Sequence, residues 1–314
     1  MALPKGLLVH PDELQDCWLK RLQGSNIKIL GLHPTGGKRA HESLETLRRQ
    51  VINGEFDGRF AKLREMNIEL EYEMHAMSWL LPRTLFDTNP SWFRENEEGE
   101  RVSDFNMCPS CEKALDYVAN RAAELALTLR PTTHRYHMWI DDVKGAWCHC
   151  AKCRDLTPSD QAMLIYNAIL RGIRTVDPQA TQCYLAYQNT IEAPKYVRPG
   201  EGIFMEYAPI ERDLHRPMAD ETCEKNANDA RFLPQLLHFF GKKNAKVLEY
   251  WLDNSLFSKW KKPPVAFSLD EPVLKADLRF YENLGFEDVT VFACFLGEDY
   301  EALYGDPHIE AYLK

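Results

Sequence analysis

The stretch YHMWIDDVKGAWCHCAKC, residues 136–153, is the starting point for predicting the fold. A strand is predicted over 134–140, because this segment lies between Pro131 and Gly145 and is rich in aromatic and branched residues. The strand ends in two adjacent carboxylates, Asp141 and Asp142, and cysteines spaced C-x-C-x-x-C follow. Since side chains alternate along a strand, one carboxylate can face a bound molecule while the other contacts a neighbouring side chain. The stretch therefore indicates the rim of an active site in a protein of parallel strands.

Outward from this stretch, short apolar runs alternate with segments of helical spacing. Strands are predicted over 7–10, 27–33, 68–76, 134–140, 183–187, 203–207, 246–252 and 289–295. Helices are predicted over 11–22, 42–66 with a break at 53–58, 111–129, 158–176, 226–240 and 272–284, and a long loop over 79–107. Thr157 or Ser159 is placed to cap the helix that begins near Pro158.

This alternation predicts an α/β fold, a single (β/α)8 TIM barrel with long βα loops. The sequence has no linker and no break in composition, so one domain over residues 1–314 is expected. Catalytic residues of such barrels lie at the carboxyl ends of the strands and in the loops that follow them.

Composition limits the class of protein. Hydrophobic residues make up 45% of the 314 residues, which is ordinary for a protein with a large core, and the net charge of −9 argues against a nucleic-acid partner. Because the sequence has no apolar run that resembles a signal peptide or a membrane span, a cytoplasmic protein with no membrane partner is expected. An exported form that has lost its leader is the alternative, and a homo-oligomer is left open.

The predicted strand ends carry mostly carboxylates and aromatic residues. Such a mixture suits a carbohydrate, since aromatic faces stack on sugar rings while carboxylates accept hydroxyl hydrogen bonds and supply acid and base. The candidate substrate-binding residues are His10, His33, His75, Tyr187, Tyr207, Tyr250, Trp251 and Asp253.

Four separated motifs resemble one family. They are WIDDVKGAWCHCAKCRDLTPSDQ at 139–161, MEYAPIERDLH at 205–215, LEYWLDNSLFSKWKKPP at 248–264 and VFACFLGEDYEALYGDPHIEAYL at 291–313. In this order they resemble the family called domain of unknown function 4838, and the resemblance covers the chain from about residue 89 to its end. It implies a TIM barrel of the kind grouped with glycoside hydrolases, and a function as a glycosidase that acts on a glycan or glycoside.

The same resemblance extends distantly to barrels similar to β-hexosaminidases. These barrels have an Asp followed by a Glu at the end of strand four, and the Glu is the general acid. This chain has Asp141 and Asp142 there instead. The analogy implies that Asp142 donates the proton and that Asp141 orients it or holds the neighbouring substituent of the substrate.

Glycoside hydrolysis requires a second carboxylate across the sugar, about 5 to 10 Å from the first. The candidates are Glu206, Glu249 and Asp253. The structural alternative is that these acids pair with arginines such as Arg212 and stabilise the barrel. No cofactor is expected to be needed for catalysis.

The cysteines suggest a metal site of structural type. In a cytoplasmic protein, nine cysteines are expected to be thiols or metal ligands rather than disulfides. Cys108, Cys148, Cys150 and Cys153 are predicted to bind zinc from two neighbouring βα loops, with Cys111 as an alternative ligand. The alternatives are reduced thiols packed under the loop, or a disulfide such as Cys108–Cys148 in an exported protein.

Two further functions stay open at this point. The first is a barrel that binds carbohydrate without cleaving it, which Asp in place of Glu at the acid position favours. The second is a barrel metallohydrolase that uses His10, His33 and His75 as ligands, although the first strand has a single His where a His-x-His pair is expected.

Overall fold

A computed structural model describes residues 3–314 of the protein; Met1 and Ala2, which belong to the predicted domain, lie outside the described residues. Eight parallel strands close into a barrel in the order of the sequence, with helices between them, so the predicted (β/α)8 TIM barrel is confirmed. The strands are β1 (Lys5–Val9), β2 (Ile27–Leu32), β3 (Glu69–His75), β4 (Arg135–Trp139), β5 (Thr181–Ala186), β6 (Ile203–Tyr207), β7 (Ala245–Glu249) and β8 (Asp288–Phe292).

The α-helices follow the predicted pattern in part, and helices also form at Asn254–Phe257, Glu298–Tyr304 and Glu310–Leu313, where none was predicted. The helices are α1 (Asp16–Leu22), α2 (Ala40–Ile52), α3 (Asp57–Glu65), α4 (Met77–Leu80), α5 (Glu112–Thr128), α6 (Pro158–Ile173), α7 (Glu224–Ala230), α8 (Leu233–Phe240), α9 (Asn254–Phe257), α10 (Glu271–Leu284), α11 (Glu298–Tyr304) and α12 (Glu310–Leu313). The single helix predicted over 226–240 was wrong, because α8 restarts with Pro234 in its first turn and proline has no N–H to continue a helix. The predicted loop 79–107 also contains the end of α4.

Residue contacts divide the chain into two compact units. The first unit comprises residues 3–33, Phe56–Glu71 and Glu206–Lys314. Within it β1 pairs with β2 and with β8, and Leu7 lies opposite Leu30 on one side and Val291 on the other. All three side chains are buried, as expected for strands of a parallel sheet that is covered on both faces.

The second unit comprises residues 34–55 and 72–205. Within it β4 pairs with β3 and β5, with His75 opposite Trp139. Helices α5 and α6 pack so closely that a Cβ atom at Gly172 would lie 1.9 Å from the carbonyl oxygen of Ala119. This contact explains a glycine in the last turn of α6, where its flexibility would otherwise be unfavourable.

Thr157 caps α6, as one of the two predicted caps. Its hydroxyl accepts from the N–H of Asp160 at 3.1 Å, and Asp160 accepts from the N–H of Thr157 at 3.1 Å, which completes a capping box. Ser159 donates instead to the carbonyl oxygen of Glu192.

Within residues 3–314, every helix is too short or too polar to cross a membrane. The single domain and the cytoplasmic location stay predictions.

Candidate functional site

Asp141, two residues after the end of β4, is held by hydrogen bonds within the second unit. Its Oδ2 atom accepts hydrogen bonds from the guanidinium of Arg83 and, at 2.6 Å, from the N–H of Asn106. The Asn106 side chain in turn accepts from the N–H of Asp141 at 3.0 Å. Because the carboxylate is buried and held by a cation, Asp141 is suited to orienting the loop rather than to exchanging a proton.

Asp142 has a different environment, since it is only half-buried. Its Oδ1 accepts a hydrogen bond of 3.0 Å from the phenolic hydroxyl of Tyr187, which follows β5. Gln188 donates to the same hydroxyl at 2.9 Å and has a φ of 46°, a left-handed conformation that costs roughly 1 kcal/mol or more in a residue with a side chain. Strain of this kind is concentrated at functional sites.

His75, the last residue of β3, lies beside this pair. Its Nδ1 is 2.7 Å from the carbonyl oxygen of Ile140, so in the neutral ring Nδ1 carries the proton and Nε2 is the acceptor. A Cβ atom placed on Gly36, in the loop after β2, would lie 3.1 Å from His75 and 3.7 Å from Asp142 Oδ2. The absence of a side chain at Gly36 therefore leaves space next to Asp142.

A cavity lies within the second unit at these strand ends. It encloses about 260 Å³, part of it open to solvent. Its lining residues come from the ends of β3, β4 and β5 and the loops after them: His75, Ile140, Asp141, Val143, Trp147, Leu185, Tyr187, Gln188, Asn189 and Thr190. The buried indole N–H of Trp147 has no hydrogen-bond partner among the described residues, so the wall of the cavity includes an unused donor.

Three predicted substrate-binding residues of the first unit, His10, His33 and Tyr250, form a cluster of rings with Phe292. His10 Nδ1 lies 2.8 Å from the carbonyl oxygen of His33. The ring of Phe292 is 5.0 Å from that of His33 and stacks on Tyr250 with centroids 5.3 Å apart. Tyr250 and His33 are buried and His10 is half-buried, so the side chains form a largely closed group.

Glu249, at the end of β7, takes part in a buried ion-pair network. Its Oε1 accepts from Arg212 at 2.6 Å and from the Tyr281 hydroxyl at 2.5 Å. Arg212 also lies 2.7 Å from Asp277, which accepts from the indole N–H of Trp251 at 2.9 Å. Burial raises the pKa of Glu249, and the cation of Arg212 opposes that shift. This network matches the structural alternative in which the predicted acids pair with arginines.

The remaining candidates of the first unit are buried. Asp253 caps α9 by accepting from the N–H groups of Ser255 and Leu256, and burial raises its pKa. Glu206 and Tyr207 end β6, and both are fully buried; burial raises the pKa of Tyr207.

Four cysteines of the second unit come together. Cys108 Sγ lies 3.7 Å from the sulfur of Cys150 and 3.9 Å from that of Cys153, and all four sulfurs, including that of Cys148, lie within 4.8 Å of one another. Cys111 packs against the group from outside it. All nine cysteines are free thiols here, so the alternative disulfide between Cys108 and Cys148 is not formed.

Two residues that position the site were not predicted. Arg83 and Asn106 lie in the long loop after β3 and contact Asp141 from 58 and 35 residues away. The sequence around them has no motif that points to Asp141. A weak signal was available only for the loop as a whole, because a long loop after a barrel strand often carries function.

Comparison with solved structures gives the same fold in glycosidases. Endo-glycoceramidase II from Rhodococcus sp. is 10% identical with a TM-score of 0.52, over 93% of this chain and 73% of that protein. A β-galactosidase from the psychrophilic Marinomonas ef1 is 11% identical with a TM-score of 0.58, over 99% of this chain and 58% of that protein. At such identities the likeness shows the TIM-barrel fold alone.

No curated protein sequence matches the chain with significance. The model of a family described as a domain of unknown function (DUF4838) matches residues 41–240, which include the acid pair, the four clustered cysteines and the cavity. The match begins before residue 89, where the resemblance was expected to start, and it ends before the motifs at 248–264 and 291–313. It covers more than half of the chain. The protein therefore belongs to the DUF4838 family.

Proposed function

We propose that the protein is a glycoside hydrolase in which Asp142 is the general acid. The observation that carries this proposal is the unequal environment of the acid pair. Asp141 is held by Arg83 and Asn106, whereas Asp142 stays half-exposed beside the Tyr187 hydroxyl. A carboxylic acid that can reach a bound oxygen is what proton donation to a glycosidic bond requires.

The substrate class is a glycan or glycoside. His75, Tyr187 and Gln188 offer one ring nitrogen, one hydroxyl and one amide beside Asp142, and these groups suit sugar hydroxyls. The glycosidase barrels from Rhodococcus and Marinomonas support the reaction class, although they share only the fold with this chain.

The reach of Asp142 is shorter than that of a glutamate by one methylene. Gly36 offsets this difference, because the space that a side chain would fill at this position lies next to Asp142 Oδ2 and His75. A leaving-group oxygen can then approach the shorter acid. In this mechanism Asp142 donates its proton to that oxygen while Asp141 fixes the loop through Arg83.

Two of the acids predicted as the second carboxylate have other roles in the first unit. Glu249 is bound by Arg212 and Tyr281, and Asp253 caps α9. These contacts support a structural role for both acids.

The test is hydrolysis of a panel of aryl glycosides, which includes galactosides, 2-acetamido sugars and uronic acids, by the wild-type protein and Asp142→Asn. We expect Asp142→Asn to lower the rate on a 4-methylphenyl glycoside by roughly a hundredfold to ten-thousandfold. The rate on a 2,4-dinitrophenyl glycoside should fall much less, because that leaving group needs no proton. Asp155→Asn is the matched control, since Asp155 is an exposed carboxylate in the same loop. An equal loss on both glycosides would exclude Asp142 as the acid.

A second candidate function is carbohydrate binding without cleavage, which the shorter acid at the position of the usual glutamate favours. Its expected result is sugar binding by calorimetry with no hydrolysis of any glycoside, and with unchanged binding in Asp142→Asn. The metallohydrolase alternative has less support. Among the described residues, the groups that bring three metal-binding side chains together do not include His10, His33 or His75.

A further inference from the structure

We infer that Cys108, Cys148, Cys150 and Cys153 bind one structural zinc ion. In a tetrahedral site with Zn–S bonds of about 2.3 Å, neighbouring sulfurs are about 3.8 Å apart. The sulfur of Cys108 lies 3.7 Å from Cys150 and 3.9 Å from Cys153. These two distances match a thiolate tetrahedron, and all four sulfurs lie within 4.8 Å of one another.

The ligand set selects the metal. All four cysteines are buried, and the group contains no carboxylate or imidazole. Soft thiolates favour zinc over magnesium or calcium, which prefer oxygen ligands. Because four protein ligands complete the tetrahedron, the site has no open position for water or substrate, so the ion is structural and takes no part in the proposed hydrolysis.

The surroundings suit a negatively charged cluster. Four thiolates and one Zn²⁺ carry a net charge of about −2, which needs nearby donors or cations. The N–H of Glu95 donates to Cys148 Sγ at 3.4 Å, and the Arg101 guanidinium lies 3.8 Å from the same sulfur. The Ser110 hydroxyl is 3.2 Å from the sulfur of Cys108. These groups form an outer shell that stabilises thiolates.

The site joins two loops of the second unit. Cys108 lies in the loop after β3, whereas the other three cysteines follow β4. Gln161 of α6 holds the second loop, because its side chain accepts from the N–H of Cys148 at 3.0 Å and donates to the carbonyl oxygens of Cys148 and Cys153 at 3.0 and 3.2 Å. Gln161 thus holds the backbone of two of the ligand residues, Cys148 and Cys153, without the ion.

The ion would also fix the positions of two residues next to its ligands, Asn106, which binds the cavity residue Asp141, and Trp147, which lines the cavity. Asn106, which holds Asp141, is two residues before Cys108, and the cavity residue Trp147 directly precedes Cys148. A bond from one metal to both cysteines fixes these two neighbours relative to each other. This consequence rests on the proposed function, whereas the zinc site itself does not.

The experiment measures metal content in the full chain. The protein is expressed with zinc in the medium, purified with a reductant and without a chelator, and analysed by inductively coupled plasma mass spectrometry. We expect about one zinc ion per chain in the wild type. Cys150→Ser should lower this content at least tenfold, whereas Cys111→Ser should leave it unchanged, because Cys111 packs beside the cluster but outside it. Zinc lost in Cys111→Ser and kept in Cys150→Ser would overturn the assignment, as would iron in place of zinc.

A second measurement does not require the variant to fold. Titration of the wild type with a mercurial reagent should release the zinc in step with thiol modification, as detected with a metal-sensitive dye. Removal of the ion with a chelator should lower the melting temperature, and zinc but not magnesium should restore it. Cluster thiols that react without release of zinc would contradict the inference. Since none of these readouts uses hydrolysis, failure of the zinc site and failure of the proposed glycosidase are distinguishable.

Discussion

The phenolic hydroxyl of Tyr187 donates a hydrogen bond of 3.0 Å to Asp142 Oδ1, which joins the residue after β5 to the proposed acid after β4. Asp141, one residue earlier, accepts a hydrogen bond from the guanidinium of Arg83. The two adjacent carboxylates therefore have separate partners.

This relationship predicts coupling between Tyr187 and Asp142. Tyr187→Phe should lower kcat/KM about tenfold, because a hydrogen bond to a charged group contributes about 1.5 kcal/mol. In the Asp142→Asn background the same substitution should have little further effect, since the group that it orients is gone. Steady-state kinetics of the four proteins measures the coupling. Additive losses would mean that Tyr187 contacts the substrate independently of Asp142.

Gly36 and Gly37 give a matched pair of substitutions. Gly36→Ala places a methyl group 3.1 Å from His75, so activity should fall roughly tenfold through displacement of that ring while stability changes little. Gly37 has a φ of +60° and open space around its Cα, so Gly37→Ala should cost about 1 kcal/mol of stability.

The readouts of this pair are kcat/KM and the midpoint of urea unfolding. Gly36→Ala should have the lower kcat/KM of the two variants, whereas Gly37→Ala should have the lower midpoint of urea unfolding. A loss of activity in Gly37→Ala that equals the loss in Gly36→Ala would show that the loop, and not the contact with His75, is responsible.

The Glu249–Arg212 pair predicts a large effect on stability. Glu249→Gln should lower the free energy of unfolding by about 1.5 to 3 kcal/mol, because Arg212 loses one of its two buried carboxylate partners and keeps Asp277. Arg212→Met should cost more, about 3 to 5 kcal/mol, because Glu249 and Asp277 both lose their buried cation. Urea unfolding followed by circular dichroism measures this. A Glu249→Gln protein with wild-type stability and no activity would instead favour Glu249 as a catalytic carboxylate.

Glu13 predicts a pH dependence of stability. Its carboxyl accepts from the N–H of Phe295 at 2.8 and 3.0 Å, and burial raises the pKa of Glu13 to about 8. Between the ordinary carboxyl pKa and about 8, the folded state holds a proton that the unfolded state has released. Stability should therefore fall as pH rises through this range, by up to about 1.4 kcal/mol per pH unit.

Glu13→Gln is the variant that tests this, since an amide keeps the acceptor for Phe295 but cannot ionise. Urea unfolding at pH 5.5, 6.5 and 7.5 should give a steeper decline for the wild type than for Glu13→Gln. Equal slopes in the two proteins would mean that another group carries the pH dependence.

Much of the candidate site could be predicted from sequence because it is local. Asp141 and Asp142 follow a strand whose composition and boundaries are visible in fewer than twenty residues, and the cysteines of the following loop are adjacent in the chain. The role of each carboxylate could not be predicted, because Arg83 reaches Asp141 from 58 residues away. The sequence left Cys111 open as an alternative ligand to Cys108, and the folded loop brings Cys108 to the other three sulfurs.

The sequence by itself determined the barrel, since strand and helix periodicity is a property of neighbouring residues and alternation of the two requires parallel strands. It also determined where acidic and thiol groups follow strands. Only the tertiary structure decided which of these groups are bound by partners, as Glu249 is by Arg212 and Asp141 by Arg83. The physical reason is range: a hydrogen bond or an ion pair depends on distances of about 3 Å, which the chain sets only when distant loops fold against each other.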